Sequence, residues 1–462
     1  MPELRLTSTL IQQALGTQDT GRDDTEQAYA GVSTDSRQVK AGEVFVCLKG
    51  ERFDAHDFAA DVVKAGASAL VVSRPLDLAV PQYVVPDTTK ALGAIAAAWR
   101  AQFKLPVLAV VGSNGKTTSK EMLASICRAH HGEDAVLVTQ GNLNNEIGVP
   151  LTLLRLNTRH RAAVVEMGMN HEGEIAYLAS LVKPDVVLLT NAQREHQEFM
   201  KTVEAVAREN GSAFEWLATA GTAVFPANSP YREVWLSQNR GSSASEFGQG
   251  GAVSVVAGDN PAELACVTPS GVATFKPKFM GEHNHQNAAG AAAAALAGGC
   301  TLHDVVNGLE SFTPVWGRLE IVLRTPSLTL INDAYNANPD SVNAASQVLA
   351  SLPKPTLLVL GDMGEVGDQS DEYHTEVGLV ASQLGIANLY ALGQATRHTV
   401  SAFGAGAEHF DNIDDLNNAV INTLQKGQWT VLVKGSRFMK MERVVNAIKA
   451  QYQPAGETNH VA

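Results

Sequence analysis

A strand, a glycine-rich turn and a helix in direct succession are the feature that most constrains this fold. The apolar run Val107–Val111 precedes the turn, and residues 119–126 after it show a helical pattern. Between them stands Gly112-Ser113-Asn114-Gly115-Lys116-Thr117-Thr118. Glycines let backbone N–H groups approach phosphate oxygens, and the dipole of the following helix favours an anion. Since Lys116 adds a positive charge and the Thr117 hydroxyl can coordinate Mg²⁺, the stretch predicts a nucleoside triphosphate site.

The glycine pattern is shorter than that of most phosphate-binding loops. The general motif G-x-x-x-x-G-K-[ST] would place a glycine at position 110, where this chain has Val110. The form present is G-x-x-G-K-T-T. A chance turn between a strand and a helix is the alternative interpretation. The flanking strand and helix favour phosphate binding, because the mechanism needs both.

Composition narrows the possible classes of protein. A chain of 462 residues is long enough for several domains, and its 45% hydrophobic and 18% charged residues are ordinary for globular proteins. The net charge of -13 and the lack of a basic block argue against nucleic acid as a partner. We expect no membrane insertion, since no long apolar segment is present. The cysteines form no C-x-x-C pair, which fits a reducing cytoplasm: Cys47, Cys127, Cys266 and Cys300.

Apolar strand runs alternate with helical patterns along most of the chain, which is typical of parallel α/β folds. We predict three domains. Residues 1–86 form a small α/β N-terminal domain, and residues 87–313 form a central P-loop-type domain with a parallel sheet. Residues 314–462 form a C-terminal, Rossmann-like, doubly wound domain. The Gly/Ser-rich residues 241–251 are expected to lead into antiparallel strands.

Polar residues that follow the central strands are candidates for binding or catalysis. Glu166 follows an apolar strand, and its carboxylate could reach a metal that bridges phosphates. A residue that caps the strand end is the alternative. His196 could be a second metal ligand, although a lone histidine is more often structural. The polar run at residues 141–148 could contact a ligand or could form local loop hydrogen bonds.

Two further groups of polar residues lie later in the chain. Asn284 and Asn287 are three positions apart and therefore share one helix face, where paired amides could bind an adenine edge. A helix N-cap is the alternative. In the third region, polar residues follow three predicted strands, at 332–339, 361–365 and 434–437. Any one could be an ordinary turn, but together they indicate a second ligand-binding edge.

With these residues in place, the chain resembles the Mur ligase family over nearly its whole length. The short phosphate loop, Asn142-Leu143-Asn144-Asn145 and Glu166-Met167-Gly168 match the family's central domain. Residues 333–339 together with residues 361–365 resemble the motifs of the branch of the family that adds D-Ala-D-Ala. Two N-terminal motifs, around residues 33–37 and 52–56, resemble those that contact a uridine nucleotide.

The resemblance implies an ATP-dependent amide ligase of peptidoglycan synthesis. In such a reaction ATP phosphorylates the terminal carboxylate of UDP-MurNAc-tripeptide, which gives an acyl phosphate and ADP. The amine of D-Ala-D-Ala then attacks the acyl carbon, and phosphate leaves. The expected cofactors are ATP and Mg²⁺, and the expected state is a cytoplasmic monomer.

The resemblance also implies roles for single residues. Lys116 would hold the ATP phosphates, and Lys434 and Arg437 would approach the reacting groups. Magnesium ligands would be Thr117, Glu166 and His196. Other expected nucleotide contacts are Gly112, Ser113, Asn114, Gly115, Thr118, Asn284, Asn287, Arg318 and Asp333. Expected substrate contacts are Ser33, Thr34, Asp35, Ser36, Arg37, Asp54, His56, Asn142, Asn144, Asn145, Tyr335, Asn336, Asn338 and Ser436.

One position departs from the family pattern. Mur ligases commonly carry a lysine, carbamylated in the active form, a short way after the metal-binding histidine. The matching position here is Asn210, and its neighbours Arg208 and Glu209 are not lysines either. A carbamate cannot form on an asparagine, so a second Mg²⁺ would need another ligand.

Two other functions remain open from the sequence alone. A ligase similar to folylpolyglutamate synthetase would share the short loop and the acyl-phosphate route. A nucleotide-dependent regulatory or assembly protein would share only the loop. Residues 335–339 and the uridine-type N-terminal motifs argue against the first of these.

Overall fold

The computed structural model describes residues 4–17, 26–50, 53–195 and 197–452, and it confirms the mixed α/β class. The N-terminal elements are β1 (Leu6–Thr7), α1 (Ser8–Leu15), β2 (Ala28–Tyr29), β3 (Gly31–Ser33), β4 (Glu43–Val46), α2 (Ala59–Lys64), β5 (Ala69–Val72), β6 (Gln82–Val84) and α3 (Thr88–Arg100). Strands β3, β4, β5 and β6 form a parallel sheet in chain order. Its carboxyl edge therefore carries the loops that follow β3, β4 and β5, where parallel sheets place ligands.

The central part of the chain surrounds a second parallel sheet. Its elements are β7 (Val107–Val111), α4 (Lys116–His131), β8 (Val136–Val138), α5 (Gly148–Leu153), β9 (Ala162–Glu166), α6 (Glu174–Val182), β10 (Val186–Leu189), α7 (Gln197–Met200), α8 (Val203–Gly211), β11 (Thr222–Pro226), α9 (Arg232–Gln238), β12 (Ser243–Phe247), β13 (Ser254–Ala257), β14 (Leu264–Thr268), β15 (Gly271–Phe275), α10 (Glu282–Ala297) and α11 (Leu302–Ser311). The strand order is β12-β11-β10-β7-β9-β8, and a small antiparallel sheet β13-β14-β15 accompanies it. Strand β7 thus lies between β10 and β9, so the loops after all three strands meet at one edge.

Strand β12 is an element that composition did not predict. It lies within the Gly/Ser-rich residues 241–251 and pairs in parallel with β11 at the edge of the sheet. Its sequence is Ser-Ala-Ser-Glu-Phe, which lacks the β-branched residues that mark a strand. Backbone hydrogen bonds to β11 stabilise the strand although its own residues favour strand conformation only weakly.

The C-terminal elements are β16 (Glu320–Arg324), β17 (Leu328–Asp333), α12 (Pro339–Ala350), β18 (Thr356–Gly361), α13 (Ser370–Gln383), β19 (Asn388–Leu392), α14 (Thr396–Phe403), β20 (Ala407–Phe410), α15 (Ile413–Leu424), β21 (Trp429–Lys434) and α16 (Glu442–Tyr452). They build a sheet of order β16-β17-β21-β18-β19-β20, in which only the β16–β17 pair is antiparallel. The parallel register of β17 and β21 pairs Asp333 with Lys434. Both side chains therefore emerge at the carboxyl edge.

The main sheets fall within the ranges 1–86, 87–313 and 314–462, while the domain boundaries themselves stay a prediction. In the part of the chain that the structure describes, no helix combines the length and the apolar character needed to cross a bilayer.

The helix after the phosphate loop is packed unusually closely. Helix α4 contacts both the alanine-rich α10 and α11, and the alanines at residues 288–295 are buried. Small side chains allow this approach, since a Cβ added at Gly308 of α11 would lie 2.4 Å from the Cα of Ile126. The phosphate loop thus rests on a tightly packed helix layer.

Substitution of Gly308 tests this packing. We expect Gly308→Ala to lower the free energy of unfolding by about 1–3 kcal/mol, because the added methyl group must displace the backbone of α4. Urea unfolding measures the change. Gly427→Ala is the matched control, as a Cβ at Gly427 would have no heavy atom within 4 Å. Equal stability of the two variants would contradict the close approach.

Candidate active site

The phosphate loop requires glycine at two positions for steric reasons. Gly112 and Gly115 have φ angles of 126° and 79°, which L-residues with side chains rarely adopt. A Cβ at Gly112 would lie 2.2 Å from Thr190 Oγ1, and one at Gly115 would lie 2.2 Å from Asn287 Oδ1. Helix α4 begins at Lys116 with Gly115 as its N-cap. The helix N-terminus is thus open to an anion, as the sequence predicted.

A cavity of about 510 Å³ lies between the carboxyl edges of the central and C-terminal sheets. Residues from both sheets line it, which brings together much of the predicted site. The predicted residues in its lining are Ser113, Asn114, Gly115, Lys116, Thr117, Asn142, Asn144, Asn145, Glu166, Arg318, Asp333, Tyr335, Asn336, Asn338 and Lys434.

Glu166 occupies the end of β9 with its carboxylate facing this cavity. The residue is 2% exposed, and its Oε1 accepts hydrogen bonds from Asn144 Nδ2 at 2.9 Å and Thr117 Oγ1 at 3.3 Å. Its buried Oε2 has no hydrogen-bond partner among the described residues. A buried carboxylate oxygen without a partner is costly, and a bound cation would satisfy it. The role of Glu166 as a metal ligand stays a prediction, which this unpartnered oxygen favours.

These groups suit Mg²⁺ better than a soft metal. Within residues 4–17, 26–50, 53–195 and 197–452, no three His, Cys, Asp or Glu side chains cluster as a metal cage. Magnesium commonly binds one or two carboxylates, keeps several waters and takes the rest of its ligands from phosphates. Glu166 and Thr117 fit that pattern. His196, the third expected ligand, lies outside the described residues.

Lys116 is held by the loop and by one acidic residue. Its Nζ lies 2.6 Å from the Gly112 carbonyl oxygen, 2.9 Å from that of Ser113 and 2.6 Å from Glu195 Oε1. The ammonium therefore lies across the mouth of the phosphate loop. Glu195 also lines the cavity, although the sequence analysis assigned it no role.

A second cavity of about 410 Å³ adjoins the phosphate loop and shares Asn114 and Gly115 with the first. Asn284, Asn287 and Thr118 line it, and Asn287 Nδ2 donates to Asn284 Oδ1 at 2.9 Å. Helix α10 begins at Glu282 with Gly281 as its N-cap, so the N-cap alternative for the asparagines is wrong. The buried amides lie on the face that the sequence predicted.

A histidine in this second cavity is held neutral. Burial lowers the pKa of His283 to about 4, since a charged imidazole loses its hydration there. The cation of Lys434 and nearby His285 lower the pKa further, whereas the Asp333 carboxylate opposes the shift. The imidazole is thus an uncharged ring beside the second cavity at neutral pH.

The C-terminal sheet contributes an ion pair and a stacked arginine. Lys434 Nζ lies 2.7 Å from Asp333 Oδ2 in a buried contact between adjacent strands. Arg318 donates to Thr117 Oγ1 at 3.1 Å, and its guanidinium lies 4.3 Å from the ring centroid of Tyr335. The Nε of Arg318 is buried and has no partner among the described residues. This donor is available to an anion.

Sequence reasoning missed the ionic contact that joins the two sheets. Arg194 follows β10, and its guanidinium makes paired hydrogen bonds to Asp340 of α12 and Glu376 of α13, each with a shortest contact of 2.6 Å. A further bond at 2.9 Å joins Asn338 Nδ2 to Asn114 Oδ1. Acidic residues on surface helices give no local signal of such a role.

Several predicted substrate residues already have partners within the protein. Asn145 Oδ1 accepts from the Gly148 N–H at 2.9 Å, and Asn338 caps α12 through the Ser341 N–H at 2.9 Å. Ser436 Oγ donates to the Ala337 carbonyl and accepts from the Gly364 N–H. These bonds shape the loops around the cavity.

Arg437 is the predicted catalytic residue that the structure places apart. Its side chain is exposed, pairs with Glu442 at 2.9 Å and lies over the Trp316 ring. It is absent from the described lining of both cavities. Its approach to the reacting groups stays a prediction.

The predicted uridine residues form a separate cluster at the carboxyl edge of the N-terminal sheet. Asp35 pairs with Arg37 through bonds of 2.8 Å, and this pairing lowers the pKa of Asp35 to about 2. Asp54 accepts from the His56 N–H at 3.0 Å and from Arg74 at 3.2 Å. Ser33 ends β3, and Thr34 and Ser36 follow it. The residues of this cluster do not line the two described cavities.

Asn210 lies directly against the phosphate loop. The side chain is 1% exposed, and its Oδ1 accepts from the Gly112 N–H at 2.7 Å. Its amide donates to the Val206 carbonyl at 3.0 Å. The position where the family pattern led us to expect a lysine thus holds a neutral amide whose oxygen and nitrogen each have a hydrogen-bond partner.

Comparison with known proteins identifies the family. The family model "Mur ligase family, catalytic domain" matches residues 28–130, "Mur ligase middle domain" matches residues 110–295, and "Mur ligase, glutamate ligase domain" matches residues 317–437. The UDP-N-acetylmuramoyl-tripeptide--D-alanyl-D-alanine ligase of Escherichia coli (strain K12) is 39% identical over 90% of this chain and 93% of its own length.

Solved structures agree with this assignment. MurF from Acinetobacter baumannii superposes with a TM-score of 0.91 at 35% identity, over 97% of this chain and 100% of that chain. MurF ligase from Thermotoga maritima in complex with ADP has a TM-score of 0.82 at 25% identity, over 91% and 97%. The chain therefore belongs to the Mur ligase family.

Proposed function

We propose that this chain joins D-Ala-D-Ala to UDP-MurNAc-tripeptide with ATP and so forms UDP-MurNAc-pentapeptide for peptidoglycan synthesis. The observation that carries the proposal is the cavity in which a phosphate loop, an unsatisfied carboxylate and a Lys–Asp pair from another sheet face one another. A relative 39% identical over nearly the whole chain bears the name of this ligase.

The arrangement suits activation of a carboxylate by phosphorylation. A carboxylate is a poor electrophile, so one of its oxygens must become a good leaving group. Phosphoryl transfer between two anions requires fixed cations and N–H donors around the transferring group. Lys116, Arg318 and the N-terminus of α4 supply them here.

Magnesium would add to this positive field. The residues that would hold it are Glu166 and Thr117, and His196 is expected beside them. The ion supplies neutralisation of phosphate charge when ATP is bound. Asn144 keeps the Glu166 carboxylate oriented through its bond to Oε1.

The acyl phosphate must be protected from water until the amine attacks. The central and C-terminal sheets enclose the cavity, and the Arg194 contacts to Asp340 and Glu376 hold them together. Lys434 faces the same cavity, where it can stabilise negative charge on the acyl oxygen or phosphate. Exclusion of water strengthens the attraction between the Lys434 ammonium and negative charge on either group.

The N-terminal sheet would bind the uridine nucleotide, which is the end of the substrate remote from the reacting carboxylate. Ser33, Asp35, Arg37 and His56 would contact the uridine nucleotide at the edge of the N-terminal sheet. We propose a monomer in the cytoplasm, as the resemblance to the Mur ligase family implies.

A ligase of the folylpolyglutamate type is the closest alternative. It would share the phosphate loop and the acyl-phosphate chemistry. Support comes from the 335–339 run: Tyr335 lies under Arg318, Asn338 contacts Asn114, and both line the same cavity as the phosphate loop. This run is part of the resemblance to ligases that add D-Ala-D-Ala, so it favours the function proposed here.

ADP release tests the proposed function directly. We expect ADP to form from ATP only when both UDP-MurNAc-tripeptide and D-Ala-D-Ala are present. Lys116→Ala sets the baseline and should reduce the rate by roughly 100-fold or more, because a main cation of phosphoryl transfer is lost. A coupled assay for ADP measures both. ADP release that ignores either substrate would refute the ligase proposal.

Substitution of Glu166 tests the magnesium site. Glu166→Gln keeps the shape of the side chain but removes its charge, so we expect the Mg²⁺ concentration for half-maximal activity to rise at least about tenfold. Titration of activity with MgCl₂ gives this value. Glu146→Gln is the control, since Glu146 is an exposed acid in the lining of the same cavity. An unchanged Mg²⁺ requirement in Glu166→Gln would contradict the assignment.

The neutral state of His283 predicts a dependence of stability on pH. Its pKa is lower in the folded protein, about 4, than in the unfolded chain, so the unfolded state binds more protons between these values. The free energy of unfolding should therefore fall as the pH drops from about 6.5 to 4, by on the order of 3 kcal/mol from this group.

Urea unfolding at pH 7 and pH 4 measures this loss. His283→Gln should lose less stability over that interval than the unaltered protein. His303→Gln, at an exposed position of α11, should behave like the unaltered protein. Identical pH dependence of all three proteins would show that His283 is not the source.

A further inference from the structure

The ion pair between Glu195 and the lysine of the phosphate loop has no place in the mechanism above. Both side chains are 13% exposed, and Glu195 Oε1 lies 2.6 Å from Lys116 Nζ. An ammonium has three N–H donors, and here the Gly112 carbonyl, the Ser113 carbonyl and Glu195 each accept one. The donors expected to bind phosphate are therefore all in use.

Only one of these three acceptors comes from outside the phosphate loop. The carbonyls of Gly112 and Ser113 move with the loop that carries Lys116. Glu195 instead lies in the segment between β10 and α7. When phosphates bind, the carboxylate is the acceptor that they can replace without any change in the loop backbone.

The position of Glu195 is set by the contacts of the two residues that precede it. Gln193 N–H donates to Ser113 Oγ at 3.0 Å, which joins the segment to the phosphate loop. Arg194 pairs with Asp340 and Glu376 of the C-terminal part. The carboxylate is thus held at the mouth of the loop by the same segment that joins the two sheets.

Because Asn210 is neutral, helix α8 adds no negative charge where it contacts the phosphate loop, and the charge of Glu195 is not shared with that position. Asn210 contacts the Gly112 N–H with a neutral amide. Glu209, the acidic residue next to Asn210 in the chain, accepts hydrogen bonds from the N–H groups of Gly173 and Ile175 instead. The anion in contact with Lys116 comes from Glu195.

We propose that Glu195 is a positioning residue that acts as an internal counterion: it occupies Lys116 in the nucleotide-free protein and gives way to the phosphates of ATP. The proposal rests on the ATP binding assumed in the proposed function. It goes beyond that function because it assigns a competitor for the nucleotide within the chain itself. Removing the competitor should strengthen nucleotide binding, whereas removing a simple structural support should weaken it.

Binding of ATP in EDTA tests this proposal without Mg²⁺ and without the peptide substrates. In isothermal titration calorimetry we expect Glu195→Gln to lower the Kd for ATP by roughly three- to tenfold, since a half-buried ion pair no longer has to be broken. The isosteric amide keeps the shape of the segment. Glu146→Gln removes a negative charge from the same cavity without a contact to Lys116, and its Kd should change less than twofold.

A double-mutant cycle separates competition for Lys116 from a general effect of charge. Introduced into Lys116→Ala, the Glu195→Gln substitution should leave the Kd for ATP unchanged, because no ammonium remains to compete for. Weaker or unchanged binding in the single variant would overturn the proposal. Equal tightening with and without Lys116 would also overturn it. The ligase assay is separate, so failure of the proposed reaction would be visible independently of this result.

Discussion

Parallel pairing of β7 between β10 and β9 is the constraint on which the rest of the site depends. The register pairs Val110 with Glu166 on one side and Val111 with Leu189 on the other. Three strands therefore end together, and this register brings the phosphate loop, Glu166 and the 190–195 segment to one place, where side-chain contacts join them. The carboxyl ends of parallel strands place polar loops at one edge for this reason.

The second constraint is the close approach of backbone at the phosphate loop. Gly112 and Gly115 leave room for Thr190 and Asn287, which no residue with a Cβ could do. The alanine-rich α10 and Gly308 of α11 allow the helix behind the loop to pack closely. Small residues at these points fix the loop, whose residues line both cavities; the second cavity is also lined by the asparagines of α10.

Much of the fold could be predicted because strands buried on both faces read as continuous apolar runs. The apolar run Val107–Val111 was predicted to the residue and forms β7. Strand β12 was not, since its Ser-rich sequence carries no strand signal and depends on pairing with β11. The polar run at residues 141–148 shows both behaviours: Asn145 Oδ1 accepts from the Gly148 N–H in its own loop, whereas the Asn144 amide reaches across to Glu166.

The sequence by itself determined the phosphate loop and the α/β class, because these depend on local spacing and on apolar periodicity, and its motifs carried the resemblance to the family. Only the tertiary structure placed Glu195 on Lys116, Asn210 on Gly112 and Arg194 between Asp340 and Glu376. Each of these contacts joins positions far apart in the chain. A charged or amide side chain looks the same in a sequence whether it is solvated or paired, and only the folded chain decides which partner it meets.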